Sequence, residues 1–208
     1  MTEIVLTVLG TGSVNLPRPD CDCEQCAEAL ENGSRMMTSV LMDVNRMLLL
    51  FDCGPNIKDQ VKGLVPEAVF VTHRHEDHWD GVVDLQEGTR IYLRRGESFK
   101  GGIKVVPCSV KHASEITTVG YVLTAGRLKV AYFPDFLQID DESVLADADL
   151  AILDGKCVDE DIEYVPDVGH QSMRNSLIMC KKYKVKNVVF AHVGHVKLGH
   201  HNLQARIK

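Results

Sequence analysis

Six consecutive residues, His73-Arg74-His75-Glu76-Asp77-His78, pack three imidazoles and the Asp77 carboxylate into one short segment. Neutral imidazole nitrogens and carboxylate oxygens are the donors that hold zinc, manganese or iron. In a loop leaving a strand, His73 and His75 can point the same way. Asp77 and His78 then begin the next turn and face a neighbouring position, so one loop can supply two ligands to each of two metal ions. With nine histidines in the chain, chance would produce this arrangement about once in a thousand such sequences.

Further single residues follow apolar runs elsewhere: His112 after Val105–Lys111, Asp135 after Ala131–Pro134 and His192 after Val188–Ala191. Side chains at strand ends sit on a rigid frame, which metal binding requires. A second cluster is Cys21-Asp22-Cys23-Glu24-Gln25-Cys26. Cysteines this close are poorly placed to pair with one another. Three thiolates in six residues suggest a structural zinc, which needs a fourth ligand. His195, three residues after His192, is the choice, with His200 and His201 as competitors. His170 stands at the start of an expected helix, where an imidazole can donate a proton or bind a phosphate oxygen. Amide groups at that helix's N-terminus are expected to help hold an anion; Ser172, Arg174 and Asn175 are nearby polar groups.

The elements that must position these residues are short strands alternating with turns and a few helices. Strands are expected over Glu3–Leu9, Thr38–Val44, Arg46–Asp52, Ala68–Thr72, Arg90–Leu93, Ile103–Ser109, Gly120–Thr124, Arg127–Phe133, Leu150–Leu153 and Val188–Ala191. A hairpin turns at Asn45, and helices are expected over Asn56–Lys62, Trp79–Gln86 and Asn175–Lys182. The mixture implies an α/β protein, and strand-rich sheets covered by helices fit a four-layer sandwich. With 45% hydrophobic residues, one domain over residues 1–208 is expected. A net charge of −6 disfavours stable binding of long nucleic acid. The N-terminal segment reads as a strand and not a signal peptide, and no apolar run approaches a membrane span, so a cytoplasmic protein is expected. Seven cysteines, odd in number and unevenly scattered, do not read as a disulfide framework.

The histidine–aspartate motif resembles the signature of the metallo-β-lactamase superfamily, and the resemblance runs from the Gly10-Thr11-Gly12 turn to His195. It implies an αββα sandwich in which one metal takes His73, His75 and His112 and the other takes Asp77, His78 and His192. Asp135 would lie between them. Two such ions share a bridging water whose hydroxide is the nucleophile at neutral pH, with Asp77 also a candidate catalytic carboxylate. The Gly-Thr-Gly turn, the cysteine loop and His192-x-x-His195 together look like PhnP-type phosphodiesterases, which are related to transfer-RNA 3′-processing ribonucleases. That likeness implies small or cyclic phosphodiester substrates, zinc or manganese at the active site, one structural zinc on Cys21, Cys23, Cys26 and His195, and His170 beside the scissile phosphate. It also suggests a homodimer. Proteins of pyrroloquinoline quinone biosynthesis share the cysteine loop but typically lack the intact His-x-His-x-Asp-His motif that this chain retains. No long basic insert exists to grip transfer RNA. Hydrolysis of a lactone, ester or thioester, and a non-catalytic metal-binding role, are the alternatives.

Overall fold

The computed structural model describes residues 2–13, 21–33, 35–113, 116–157 and 169–194. One sheet holds β1 (Ile4–Gly10), β2 (Ser39–Val44), β3 (Met47–Phe51), β4 (Ala68–Val71) and β5 (Arg90–Leu93), in that spatial order. The other runs β10 (Gln138–Ile139), β7 (Ile103–Lys111), β8 (Thr118–Ala125), β9 (Leu128–Phe133), β11 (Leu150–Asp154) and β12 (Val188–Ala191), with β6 (Glu97–Phe99) also paired to β7. Each sheet is antiparallel at its first strands and parallel at its last: β3, β4 and β5 run together in one, and β9, β11 and β12 in the other.

Side-chain alternation sorts the strands into layers. Val40, Met42 and Val44 of β2, Leu49 and Phe51 of β3, and Ala68 and Phe70 of β4 point between the sheets. There they meet Tyr121 and Leu123 of β8, Val130 and Tyr132 of β9, and Ile152 of β11. The intervening residues face outward under helices. Leu41, Leu50, Val69 and Val71 lie with Ile57 and Val61 of α2 (Ile57–Val61). Ala131, Phe133, Ala151 and Leu153 lie with Met179 and Cys180 of α4 (Met173–Lys182). This is the αββα arrangement.

The hairpin at Asn45 forms as expected. Asn45 and Arg46 both adopt positive φ, at 54° and 71°, the conformation that matches the twist of a two-residue hairpin. The Arg46 amide donates to Asp43 Oδ1 at 2.7 Å, which holds the less willing residue there. Two expectations are corrected. The cysteine loop runs into a helix, α1 (Glu24–Asn32), with Cys23 at its N-cap. The helix expected over Trp79–Gln86 does not form; α3 (Glu76–Trp79) gives way to a 3-10 turn at Asp80–Asp84. Gly81 accounts for the break. Its amide donates to Cys53 O at 2.9 Å, and a Cβ there would lie 2.0 Å from Gly54 O. The chain is drawn against the end of β3 at a distance only glycine permits. Among the described residues no helix is long and apolar enough to cross a membrane.

Candidate metal centre

The parallel strands of both sheets end along one edge of the sandwich, and the candidate ligands leave from those ends. His73 follows β4, Asp135 follows β9, Asp154 closes β11 and His192 follows β12. His112 follows β7 on the same edge. Asp77 and His78 lie on α3, the turn that begins immediately after His75.

Three groups of ligand atoms result, each drawn together within 4.8 Å, one of them being Asp135, Asp154, His170 and His192. His73, His75, His112 and Asp135 form a second, and Asp77, His78 and His192 form the third. Asp135 faces both: its Oδ2 is 3.5 Å from His73 Nε2 and 3.7 Å from both His78 Nε2 and His192 Nε2. All seven expected ligands therefore converge.

The hydrogen bonds set which nitrogen each ring offers. His78 Nδ1 lies 2.7 Å from Asp52 Oδ2, and His112 Nδ1 lies 2.9 Å from Gly169 O. Both nitrogens therefore carry the proton, and Nε2 keeps its lone pair. Those two Nε2 atoms are buried without any hydrogen-bond partner. His73 Nε2 and His75 Nδ1 approach to 2.7 Å. Buried lone pairs converging without donors are costly unless a cation takes them.

Charge makes the same demand. Asp52, Asp77, Asp135 and Asp154 are all buried, and burying carboxylates requires compensating charge. Without an ion the compensation falls on the histidines. Burial opposes the charged form of His78, but the carboxylates of Asp52 and Asp77 overcome it and hold the imidazole up at about 10. Burial, with His78 beside it, keeps His73 neutral far below its ordinary range. Burial also lowers His75 and His112. For Asp135, burial is outweighed by His192 and His170, and its carboxyl stays well below the usual range. Imidazoles that a cation would hold neutral, facing buried carboxylates, are the donor set that divalent ions bind, so the residues present fit a metal pair.

Asp52 and Asp154 were not singled out by their sequence context. Asp52 accepts from Thr72 N at 2.8 Å, Thr72 Oγ1 at 2.9 Å and the Tyr132 hydroxyl at 2.9 Å, besides orienting His78. Tyr132 comes from the opposite sheet, so this carboxylate ties the two sheets beneath the ligands. Asp154 Oδ2 lies 2.7 Å from His170 Nδ1 and takes the Phe136 amide, while Oδ1 takes the Lys156 amide. Each aspartate directly follows or ends an apolar run, the signal already used for Asp135.

His170 Nδ1 is also 2.9 Å from Asp135 Oδ1. Burial lowers this imidazole's basicity, but Asp154 and Asp135 raise it to about 9. The ring lines a cleft of about 480 Å³ together with Arg74, His75, Glu76, Asp77, His112, Ala113, Asp135, Lys156 and His192. Ser172, Arg174 and Asn175 do not line it. The anion-binding role expected for the start of α4 is corrected as well. The Met173 amide donates to Cys157 O, and Ser172 Oγ caps the helix by accepting from Asn175 N. Those donors are already used.

The Sγ atoms of Cys21, Cys23 and Cys26 lie within 4.8 Å of one another, and all three thiols are free of disulfides. His195 lies outside the described residues, as do His200 and His201. The strand end leading to His195 is clasped by the N-terminal loop: Val193 N donates to Thr11 O at 2.7 Å and Ser13 N to Val193 O at 3.1 Å.

Comparison with known proteins agrees with this architecture. Residues 90–193, half of the chain, match the β-lactamase superfamily domain. A protein of Porphyromonas gingivalis named octanoyltransferase is 34% identical over 85 residues, which are 38% of this chain and 17% of that protein. The chain thus spans about a sixth of the length of that relative. Among solved structures, a diphosphatase of the PhnP family superposes with a TM-score of 0.77 at 24% identity, over 96% of this chain and 90% of that one. Zn(2+)-bound PqqB from Methylobacterium extorquens gives 0.78 at 19% identity over 100% and 95%. Human tRNase Z, short form, gives 0.69 at 16% identity over 94% and 93%. The matched domain, the sandwich and the converging strand-end ligands lead to one conclusion: the chain belongs to the metallo-β-lactamase superfamily of metal-dependent hydrolases.

Proposed function

We propose that this protein is a phosphodiesterase for small or cyclic phosphodiesters. Two divalent ions, zinc or manganese, are assigned to His73, His75 and His112 on one side and Asp77, His78 and His192 on the other, with Asp135 shared. When bound, such ions supply an activated water and offset charge building on the phosphoryl oxygens. The observation that carries the substrate class is His170. It lines the cleft beside the ligands, its Nδ1 is held by Asp154, and the carboxylates keep it protonated at neutral pH. An alkoxide leaving phosphorus needs a proton, and a held imidazolium can donate one from its second nitrogen as the bond breaks. Asp154 fixes the ring's orientation, and Gly169 brings its carbonyl to His112 next door. A structural zinc on Cys21, Cys23 and Cys26, completed by His195, belongs to the same proposal. So does the likeness to the PhnP-family diphosphatase.

His170→Ala should retain the metal content of the wild type while turnover of bis(p-nitrophenyl) phosphate falls by about 10²–10⁴-fold. Loss of an ion in that variant makes His170 a ligand instead, and unchanged turnover removes it from the reaction. Acyl-ester or thioester hydrolysis is the second reading, favoured by the name of the Porphyromonas relative. The cleft opposes it for a fatty acyl chain: Ala113 is its one aliphatic lining residue among those described.

A further inference from the structure

Asp135 has one oxygen that the metal pair does not use. Its Oδ2 faces His73, His78 and His192, where the pair is assigned. Its Oδ1 stands near two other ring nitrogens, His170 Nδ1 at 2.9 Å and His112 Nδ1 at 3.1 Å. Each of those nitrogens carries a single hydrogen, and each gives it elsewhere. His170 Nδ1 is paired with Asp154 Oδ2 at 2.7 Å, and His112 Nδ1 with Gly169 O at 2.9 Å. Asp135 Oδ1 is left buried with no hydrogen bond among the described residues, on a side chain only 2% exposed. A buried carboxylate oxygen without a donor is costly.

The atoms around this oxygen make a ligand set of their own. Asp135, Asp154, His170 and His192 each bring one ligand atom within 4.8 Å of the others. His192 is assigned to the pair, which leaves Asp135 Oδ1, Asp154 Oδ2 and His170 Nδ1. Neighbouring ligands about 2.1 Å from an octahedral ion lie about 3.0 Å apart. The 2.7 and 2.9 Å from His170 Nδ1 to the two oxygens are close to that spacing. One hydrogen on Nδ1 serves one of these oxygens, whereas a cation in its place serves both. Asp135 and His170 line the cleft, so an ion can arrive from solvent. We propose that these three atoms form a third divalent-cation site in the centre, filled by zinc only when free metal exceeds what the pair takes up. Charge makes it the weaker site. Two divalent ions already match the buried carboxylates of Asp52, Asp77, Asp135 and Asp154, so a third binds against their repulsion. Filling the site sends the Nδ1 hydrogen to solvent. His170 keeps the hydrogen on its second nitrogen but becomes a neutral, metal-held ring and a poor proton donor. Occupancy is therefore inhibitory, a consequence that rests on the proton-donor reading of His170, whereas the cation site itself does not.

The test counts ions separately from turnover. Protein isolated with its stoichiometric metal is dialysed against rising, buffered free zinc, and bound zinc is measured by elemental analysis. The wild type should take up one further zinc per chain, and the Nδ1–H correlation of His170 in ¹H–¹⁵N spectra should disappear with it. Asp154→Asn and His170→Ala should each fail to take up that zinc at the same free concentration while the pair stays filled. A double variant, His200→Ala with His201→Ala, alters residues outside the described ones and should still take it up, which separates this ion from zinc gathered at those imidazoles. Over the same range wild-type turnover of bis(p-nitrophenyl) phosphate should fall by about a hundredfold, the contribution of a general acid. Removal of the excess zinc should restore it. No further zinc, or one that survives both Asp154→Asn and His170→Ala, overturns the site and leaves an adventitious ion only. A further zinc lost in both variants, with wild-type turnover unaffected by it, supports the site and overturns its inhibitory role. The same uptake in protein that cleaves no phosphodiester at any zinc level supports the site and overturns the phosphodiesterase reading instead.

Discussion

Replacing Asp154 with asparagine tests the proton-donor assignment most directly. Asp154 Oδ2 stands 2.7 Å from His170 Nδ1. Although burial disfavours the imidazolium, this carboxylate and Asp135 raise it from 6.5 to about 9. An amide of the same shape keeps Oδ1 as acceptor for the Lys156 amide, gives up the Phe136 contact because its NH2 cannot accept, and removes the charge, so the pKa falls toward its ordinary value. At pH 8 a group with a pKa of 9 is about 90% protonated, and one at 6.5 is about 3% protonated. The supply of general acid drops by up to about thirtyfold. At pH 5.5 both forms are largely protonated and the difference nearly vanishes. The Asp154→Asn enzyme should therefore show a kcat defect for bis(p-nitrophenyl) phosphate that grows from small at pH 5.5 to at most about thirtyfold at pH 8, less where Asp135 sustains the imidazolium. Metal content is to be measured at each pH and should stay equal to the wild type. A defect of constant size across this range would refute proton donation controlled by Asp154. Loss of metal would show that the pair ligates.

Four further outcomes are expected. Tyr132→Phe removes a buried hydroxyl that donates to Asp52 at 2.9 Å and should cost about 1–2 kcal/mol in urea denaturation without changing metal content. Chelation should lower Tm, because four carboxylates are buried together, and readdition of zinc should restore it; a Tm indifferent to chelator would contradict the charge argument. Cys26→Ala should remove one zinc per chain by elemental analysis and leave the other two metals in place. Gly81→Ala forces a methyl group onto the Gly54 carbonyl and should destabilise by about 2 kcal/mol or more, read as a lower Tm.

The candidate ligands were legible in the sequence for a physical reason. Metal donors are rare residue types, and rigid placement puts them immediately after apolar strands, where His73, Asp135 and His192 stand. Alternation within the strands likewise implied two faces, and the sheets use both. Asp52 and Asp154 obey the same strand-end rule but were passed over, because a lone aspartate after an apolar run also reads as an ordinary turn. Only the tertiary contacts, Tyr132 crossing from the other sheet and His170 arriving after residue 169, distinguish them. The start of α1 was hidden because cysteine spacing marks metal binding and says little about helix. Local periodicity suggested a helix over Trp79–Gln86, but the approach of Gly81 to Cys53 and Gly54 lies outside any local window. The start of α4 reads locally as an anion site, but Ser172 Oγ and the distant Cys157 O engage its amides.

The clasp between Thr11–Ser13 and Val193 has a consequence for how the protein comes into being. Thr38 Oγ1, which donates to Gly12 O at 2.9 Å, also accepts the amide of His192 from 154 positions away. A chain emerging from the ribosome displays His73 through His78 long before Asp135 and His192 exist. At that stage it offers only fragments of each coordination sphere, too weak to trap an ion. The complete sphere appears only when the last strand docks against the first loop, so metal capture is a late event in biosynthesis and follows closure of contacts that are distant in sequence. Selection among competing ions would then be made by the nearly finished fold, whose rigidity can discriminate, and not by the nascent peptide, whose flexible loop holds none of them firmly.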